Sequence, residues 1–298
     1  MKFANFMKKG GLIACVLVLA FVLDFALAQS YWVRDSGYFW LDDFELTQRE
    51  HPEEVWDKVI YGSSELTSGY REDISESGYV NMGMDYATVT DLVEILEGGH
   101  ITVGSELVLA LNWGALSDIM DTNPTYEWHR KWYEPYFYFQ RDRIAGLITD
   151  TFNALIRGGE FRTKQWLTQT KAYYYGQMSQ AELEERVVKL HDLYLTGGLA
   201  DFRENLAALN EVFAFCEENG IRVRALWLPE NPAVELDSVD VEVREAAREV
   251  CESAGVEFYD MTDALGAECF HDTGHMEYTY GAVQFTEVLD EWLLSQNG

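Results

Sequence analysis

Near its carboxyl end the chain carries Asp272-Thr273-Gly274-His275. A carboxylate three residues before an imidazole, in a turn or a first helical turn, can lie beside it. The carboxylate then accepts a hydrogen bond from one ring nitrogen and fixes the tautomer, leaving the other nitrogen free to take a proton. Gly62-Ser63-Ser64-Glu65-Leu66 offers the hydroxyl on which such a base would act, that of Ser64. A free serine hydroxyl is a weak nucleophile, so chemistry at Ser64 requires the base. Attack on a carbonyl also requires donors for the oxyanion. Three are available: the Ser64 N–H, the Gly83 N–H in Asn81-Met82-Gly83-Met84-Asp85, and the side-chain amide of Asn112 in Leu111-Asn112-Trp113-Gly114. Gly62 is read as permitting a tight turn before the serine. Singly, these pieces also read as ordinary structure: Gly-Ser-Ser as a turn or helix cap, Asn112 as the partner of a strand-end backbone group. His271 is an alternative base beside His275.

What gives the pieces weight is the order of the elements that carry them. Five short apolar runs have the character of buried parallel strands: Val59 to Tyr61, Tyr79 to Met82, Leu107 to Leu111, Val223 to Leu228 and Val256 to Tyr259. Helical stretches fall between them, at Thr88 to Leu96, Phe202 to Glu218 and Val241 to Ala254, with Asn219-Gly220 and Gly255 as stops. Ala282 to Leu294 reads as a closing helix. Alternating strands and helices predict an α/β fold with a parallel sheet covered on both faces. Ligands of such sheets bind beyond the carboxyl ends of the strands. Ser64 follows the first strand, Gly83 the second, Asn112 the third, and the Asp-x-x-His motif comes after the fifth.

Between the third and fourth strands, about 116–198, lies an insertion rich in aromatics. It holds Tyr126, Trp128, Trp132, Tyr133, Tyr136 to Phe139, Trp166 and Tyr173 to Tyr175. Segments this long carry their own helices or a function. A helical cap or side wall is expected here, its aromatics packing on the core or facing a substrate or membrane partner.

The formal charge of −29 repels nucleic acid phosphates and excludes nucleic-acid binding as a reading. It fits a solvated acidic surface or a preference for cationic partners. Three of the four cysteines, Cys216, Cys251 and Cys269, fall in the body, which allows at most one disulfide; the fourth, Cys15, is in the apolar amino-terminal run. No zinc spacing, nucleotide loop or cofactor fingerprint is present, so neither metal nor cofactor is expected.

Lys2, Lys8 and Lys9 precede an apolar run from Leu12 to Leu23 that continues past Asp24 to Ala28. Basic residues before such a run leave the amino terminus inside and send the rest outside. Two readings stand: cleavage of a signal segment after Ala26-Leu27-Ala28, or retention as a single anchor of about seventeen residues, which is preferred. Both divide the chain into an address, 1–30, and an extracytoplasmic body, 31–298.

The body resembles the SGNH, or GDSL-like, hydrolase superfamily from about Val55 to the end, outside the insertion. The resemblance places Ser64 as nucleophile, Gly83 and Asn112 as oxyanion donors, and Asp272 and His275 in the terminal Asp-x-x-His. The third block, Leu-Asn-Trp-Gly, departs from the usual Gly-x-Asn-Asp. Gly62 to Leu66 after an anchor looks like the D-alanyl transfer proteins of teichoic acid modification and related partners of membrane O-acyltransferases. The resemblance implies a three-layer, flavodoxin-like fold and a serine acyltransferase or esterase acting on an acylated small molecule or envelope polymer. The competing reading is a relative without catalysis that docks a membrane acyltransferase or wall polymer.

Overall fold

The computed structural model describes residues 2–28, 42–120, 123, 126–129, 152, 155–156, 171–235 and 237–295. Contacts gather into two compact units: Met1–Asp42 with Pro124–Thr170, and Asp43–Asn123 with Lys171–Gly298. In the first, α1 (Lys2–Ala28) is one helix whose apolar side chains from Leu12 to Leu23 are exposed. No helix among the described residues is long and apolar enough to cross a membrane; the described side chains of α1 begin at Gly10. Tyr126 and Trp128 stack at 5.1 Å. The expected aromatics at 132–139 and at Trp166 lie outside the described residues.

The second unit contains the sheet. After α2 (Asp43–Glu50) the chain runs β1 (Trp56–Gly62), α3 (Ser64–Gly69), β2 (Val80–Gly83), α4 (Val89–Glu97), β3 (Val103–Leu111) and α5 (Trp113–Leu116). It resumes with α6 (Gln180–Leu190), α7 (Arg203–Asn219), β4 (Arg222–Trp227), α8 (Ser238–Ser253), β5 (Glu257–Asp260) and α9 (Gly281–Ser295). All strand pairs are parallel, in the order β2-β1-β3-β4-β5. This is the expected α/β architecture, a flavodoxin-like sheet between helical layers.

The apolar runs mark the strands because both faces are covered. Ile60, Val108, Ala110 and Leu226 join Leu66 of α3 and Phe285 and Leu289 of α9 in one core. Their neighbours along the strands point to the opposite face. There α4 packs against α7, and α7 against α8. Thr88 caps α4 by accepting from the Asp91 N–H, and Asp91 accepts in return from Thr88. α7 ends at Gly220 with φ 70°, the left-handed residue that a helix stop favours. α8 starts three residues earlier than expected, at Ser238, because the Asp237 side chain accepts from the Val239 N–H.

Two expectations change. Gly62 does not serve a turn: it is the last residue of β1, and a Cβ there would stand 2.8 Å from the Ala110 carbonyl oxygen on β3. All four cysteines are free thiols, so the one disulfide the count allowed is absent.

Candidate active site

The strand order reverses between β1 and β3, since β2 lies on one side of β1 and β3 on the other. The connections leaving their carboxyl ends therefore diverge and open a crevice. Ser63-Ser64 leaves β1 into that crevice and Asn112 leaves β3. A cavity of about 280 Å³ lies there, lined by Ser64, Tyr86, Asn112, Tyr174, Arg186 and His275 among others.

Ser64 begins α3, so its N–H precedes the first intrahelical bonds, which the Leu66 and Thr67 N–H groups make to the Ser63 carbonyl. The Ser64 Oγ is 2.9 Å from His275 Nε2. On the ring's other side, His275 Nδ1 lies 3.0 Å from Asp272 Oδ2 and 3.1 Å from Oδ1. The motif is a turn and not a helix: Asp272 Oδ1 also accepts from the backbone N–H groups of Gly274, at 3.1 Å, and His275, at 2.8 Å. Asn231 fastens the same turn by donating from Nδ2 to the Asp272 carbonyl at 2.7 Å. With Asp272 at Nδ1, the neutral ring keeps its proton there and presents Nε2 as acceptor to the serine. Serine, histidine and aspartate are thus in sequence, with the hydroxyl at the cavity wall.

His271 is engaged elsewhere. Its Nδ1 faces the Gly176 carbonyl at 2.8 Å. Ser63 is buried, and its Oγ accepts from Asn112 Nδ2 at 3.1 Å. The Asn112 Oδ1 accepts from the Ala115 N–H at 2.8 Å, which caps α5 and aims the amide nitrogen back at the serine pair.

Gly83 does not take the expected place. Its N–H donates to Asn81 Oδ1 at 2.9 Å, and a Cβ there would stand 2.4 Å from the Thr67 backbone nitrogen. It is a close-packing glycine between β2 and α3. The connection after β2 reaches the cavity through Asp85, Tyr86 and Ala87 instead. Tyr86 has φ 58°, a sparsely populated conformation for a residue with a side chain.

Four further groups shape the electrostatics. Arg186 of α6 pairs with Asp272, Nη2 to Oδ2 at 2.9 Å. Tyr174 lies 4.3 Å from the His275 ring, centre to centre. Asp85 lines the cavity, and burial raises its pKa. Glu65 approaches the motif so closely that a Cβ on Gly274 would meet its carboxylate. Burial alone would raise the Asp272 pKa. The hydrogen bond and charge of His275, followed by the charge of Arg186, outweigh burial and hold the carboxyl well below its usual range. Burial opposes charging of His275, but the hydrogen bond and charge of Asp272, with Glu65 behind them, leave its pKa raised. Burial raises Glu65 as well.

No family model matches the chain, and no curated protein matches it at a significant level. A solved structure from Streptococcus pneumonia, described as a candidate platelet activating factor, aligns with a TM-score of 0.45 and 12% identity. The alignment covers 95% of this chain and 99% of that one.

Proposed function

We propose that the protein is a serine esterase or acyltransferase. Ser64 Oγ attacks an acyl carbonyl while His275 Nε2 takes its proton, and Asp272 orients the ring and stabilises the imidazolium that forms. The Ser64 N–H and Asn112 Nδ2 are the donors for the tetrahedral oxyanion. The imidazolium returns the proton to the leaving alcohol or thiol, and water or a polymer hydroxyl then takes the acyl group from Ser64. The observation that carries this reading is the hydrogen-bonded chain from Asp272 through His275 to a hydroxyl at the wall of a cavity.

The finer reading is of an envelope protein. Exposed apolar side chains along α1 behind basic residues support an anchor, with the body outside the cytoplasmic membrane. An acylated envelope polymer is then the substrate, and a membrane O-acyltransferase is a fitting partner. Hydrolysis of short-chain 4-nitrophenyl esters tests the chemistry: it is expected in the wild type and in Ser63→Ala, and lost in Ser64→Ala. Turnover that survives Ser64→Ala would remove the proposal. Protease digestion of intact expressing cells tests the topology, and a fully protected body would contradict it.

A further inference from the structure

A second cavity, of about 60 Å³, shares Glu65, Asn112, Trp113 and Thr273 with the first. Glu65, Glu230 and Asp240 bring three carboxyls to it. Asp240 is only 7% exposed, and its Oδ1 is buried without a hydrogen-bond partner among the described residues. Glu230 accepts from Trp227 Nε1 at 2.8 Å through Oε1, while its Oε2 is likewise buried and unpartnered.

Glu230 serves the buried Trp227 indole through one oxygen, but that duty accounts neither for its other oxygen nor for Asp240. Asp240 is the third residue of α8, yet the cap belongs to Asp237, which accepts from the Val239 N–H at 2.9 Å. Arg244, one turn beyond Asp240, lends its charge to both acids. Its hydrogen bond goes to Thr262, and its Nε lies 3.7 Å from Asp260. Buried oxygens with no donor are costly, and carboxylates crowded together cost more. Burial raises both groups; the charge of Glu65 then helps to raise Glu230 to about 7, and the charges of Glu230 and Glu65 help to raise Asp240 well above its usual range. The cavity is thus built to hold positive charge and contains none of its own at hydrogen-bonding distance among the described residues.

We propose that this cavity binds a small cationic group of the substrate, a primary ammonium, between Glu65, Glu230 and Asp240 beside the carbonyl presented to Ser64. An ammonium supplies three donors for the oxygens that lack them. Its size suits the cavity, whereas no group of acidic, histidine or cysteine side chains among the described residues could hold a metal ion. Glu65, next in sequence to the nucleophile, is the wall common to both cavities, so cation and acyl carbon are held together. This assignment rests on the reading of Ser64 as nucleophile, because that reading makes the larger cavity the acyl site.

The test compares glycinamide with propanamide, which match in shape and differ in charge. Calorimetric binding to the full chain carrying Ser64→Ala, in non-ionic detergent at pH 7, reads the difference without turnover. Glycinamide is expected to bind about tenfold tighter or more, as for a charge-assisted contact. Asp240→Asn on the same background is expected to bring the ratio to within about twofold, with Glu230→Gln lowering it independently should Asp240→Asn fail to fold. Equal binding of the two amides would overturn the proposal, as would a preference that survives both substitutions. Fluorophosphonate labelling of the wild type reads the nucleophile separately. A cation preference in a chain that does not label would sustain the cavity assignment and remove the catalytic one.

Discussion

Toward the amino ends of β3 and β4, Glu106 and Arg224 form a buried ion pair. Arg224 Nε donates to Glu106 Oε1 at 2.5 Å, Nη2 donates to the Tyr79 hydroxyl at 2.9 Å, and the guanidinium lies 4.5 Å from the Trp292 ring centre. At the carboxyl ends, the half-buried Glu230 and the buried Asp240 have no hydrogen-bonded cation among the described residues, and each has a buried, orphaned oxygen. Both ends leave a buried polar atom without a hydrogen-bond partner among the described residues, Arg224 Nη1 at one and carboxyl oxygens at the other, but only at the amino ends does a cation hydrogen-bond to the acid. A buried charge that the fold itself needs arrives with its counter-charge in the same chain. A buried carboxyl without one marks a place where something else belongs, and here it adjoins the serine–histidine–aspartate chain.

The largest expected effect belongs to the carboxyl end and touches only chemistry. Ser64→Ala or His275→Ala should lower ester turnover by about 10⁴-fold or more. Thermal unfolding should shift by only a few degrees, and a collapse of the fold would show these groups to be structural. The converse substitution is Arg224→Ala, which leaves Glu106 only the more distant Arg222, 4.0 Å away. Chemical denaturation should show a loss of about 3–5 kcal/mol. Asp240→Asn should by contrast leave stability unchanged or improve it, since its oxygen has no donor to lose. Equal losses in the two variants would erase the distinction between the ends.

A third effect is in pH. Glu230, raised to about 7, keeps in the folded state a proton that the unfolded chain releases near the ordinary glutamate value. Over that window the native state binds more protons, so stability falls as pH rises. Thermal unfolding between pH 5 and pH 8 should show this decline. Glu230→Gln with Asp240→Asn should flatten it, leaving a share to Asp43, which burial and Asp85 also raise to about 7. A slope unaltered in the double variant would contradict the assignment.

The smallest effect concerns Arg186. Because the proposed catalysis needs neutral His275, kcat/KM should fall as pH drops through a pKa above the ordinary ~6.5. The Arg186 charge lowers that pKa, so Arg186→Met should move the acid limb to higher pH and cost a few-fold in rate near neutrality. A limb that stays in place would make Arg186 a packing residue only.

The sheet and the grouping of Ser64, His275 and Asp272 were legible in sequence for a shared reason. Strands buried on both faces show as apolar runs, and in a parallel sheet the residues just beyond each run gather at one edge. Local spacing misled at Gly83, because whether its N–H is free depends on the Asn81 side chain two residues away. It misled at Gly62 because a close approach to β3 looks the same in sequence as a turn. Tyr174 stood among the aromatics that could face a substrate, whereas Arg186 was invisible as a site residue because nothing in the insertion's sequence ties it to Asp272. The acidic cavity was invisible because Glu65 and Asp240 are neighbours only once α3 and α8 have packed around the crevice.

The central claim, that Ser64 is the activated hydroxyl, is tested most directly by intact mass and peptide mapping after treatment with a fluorophosphonate. The account predicts one adduct, on Ser64, retained in Ser63→Ala and absent from both Ser64→Ala and His275→Ala. No adduct on the folded protein, or one that persists in Ser64→Ala, would contradict it.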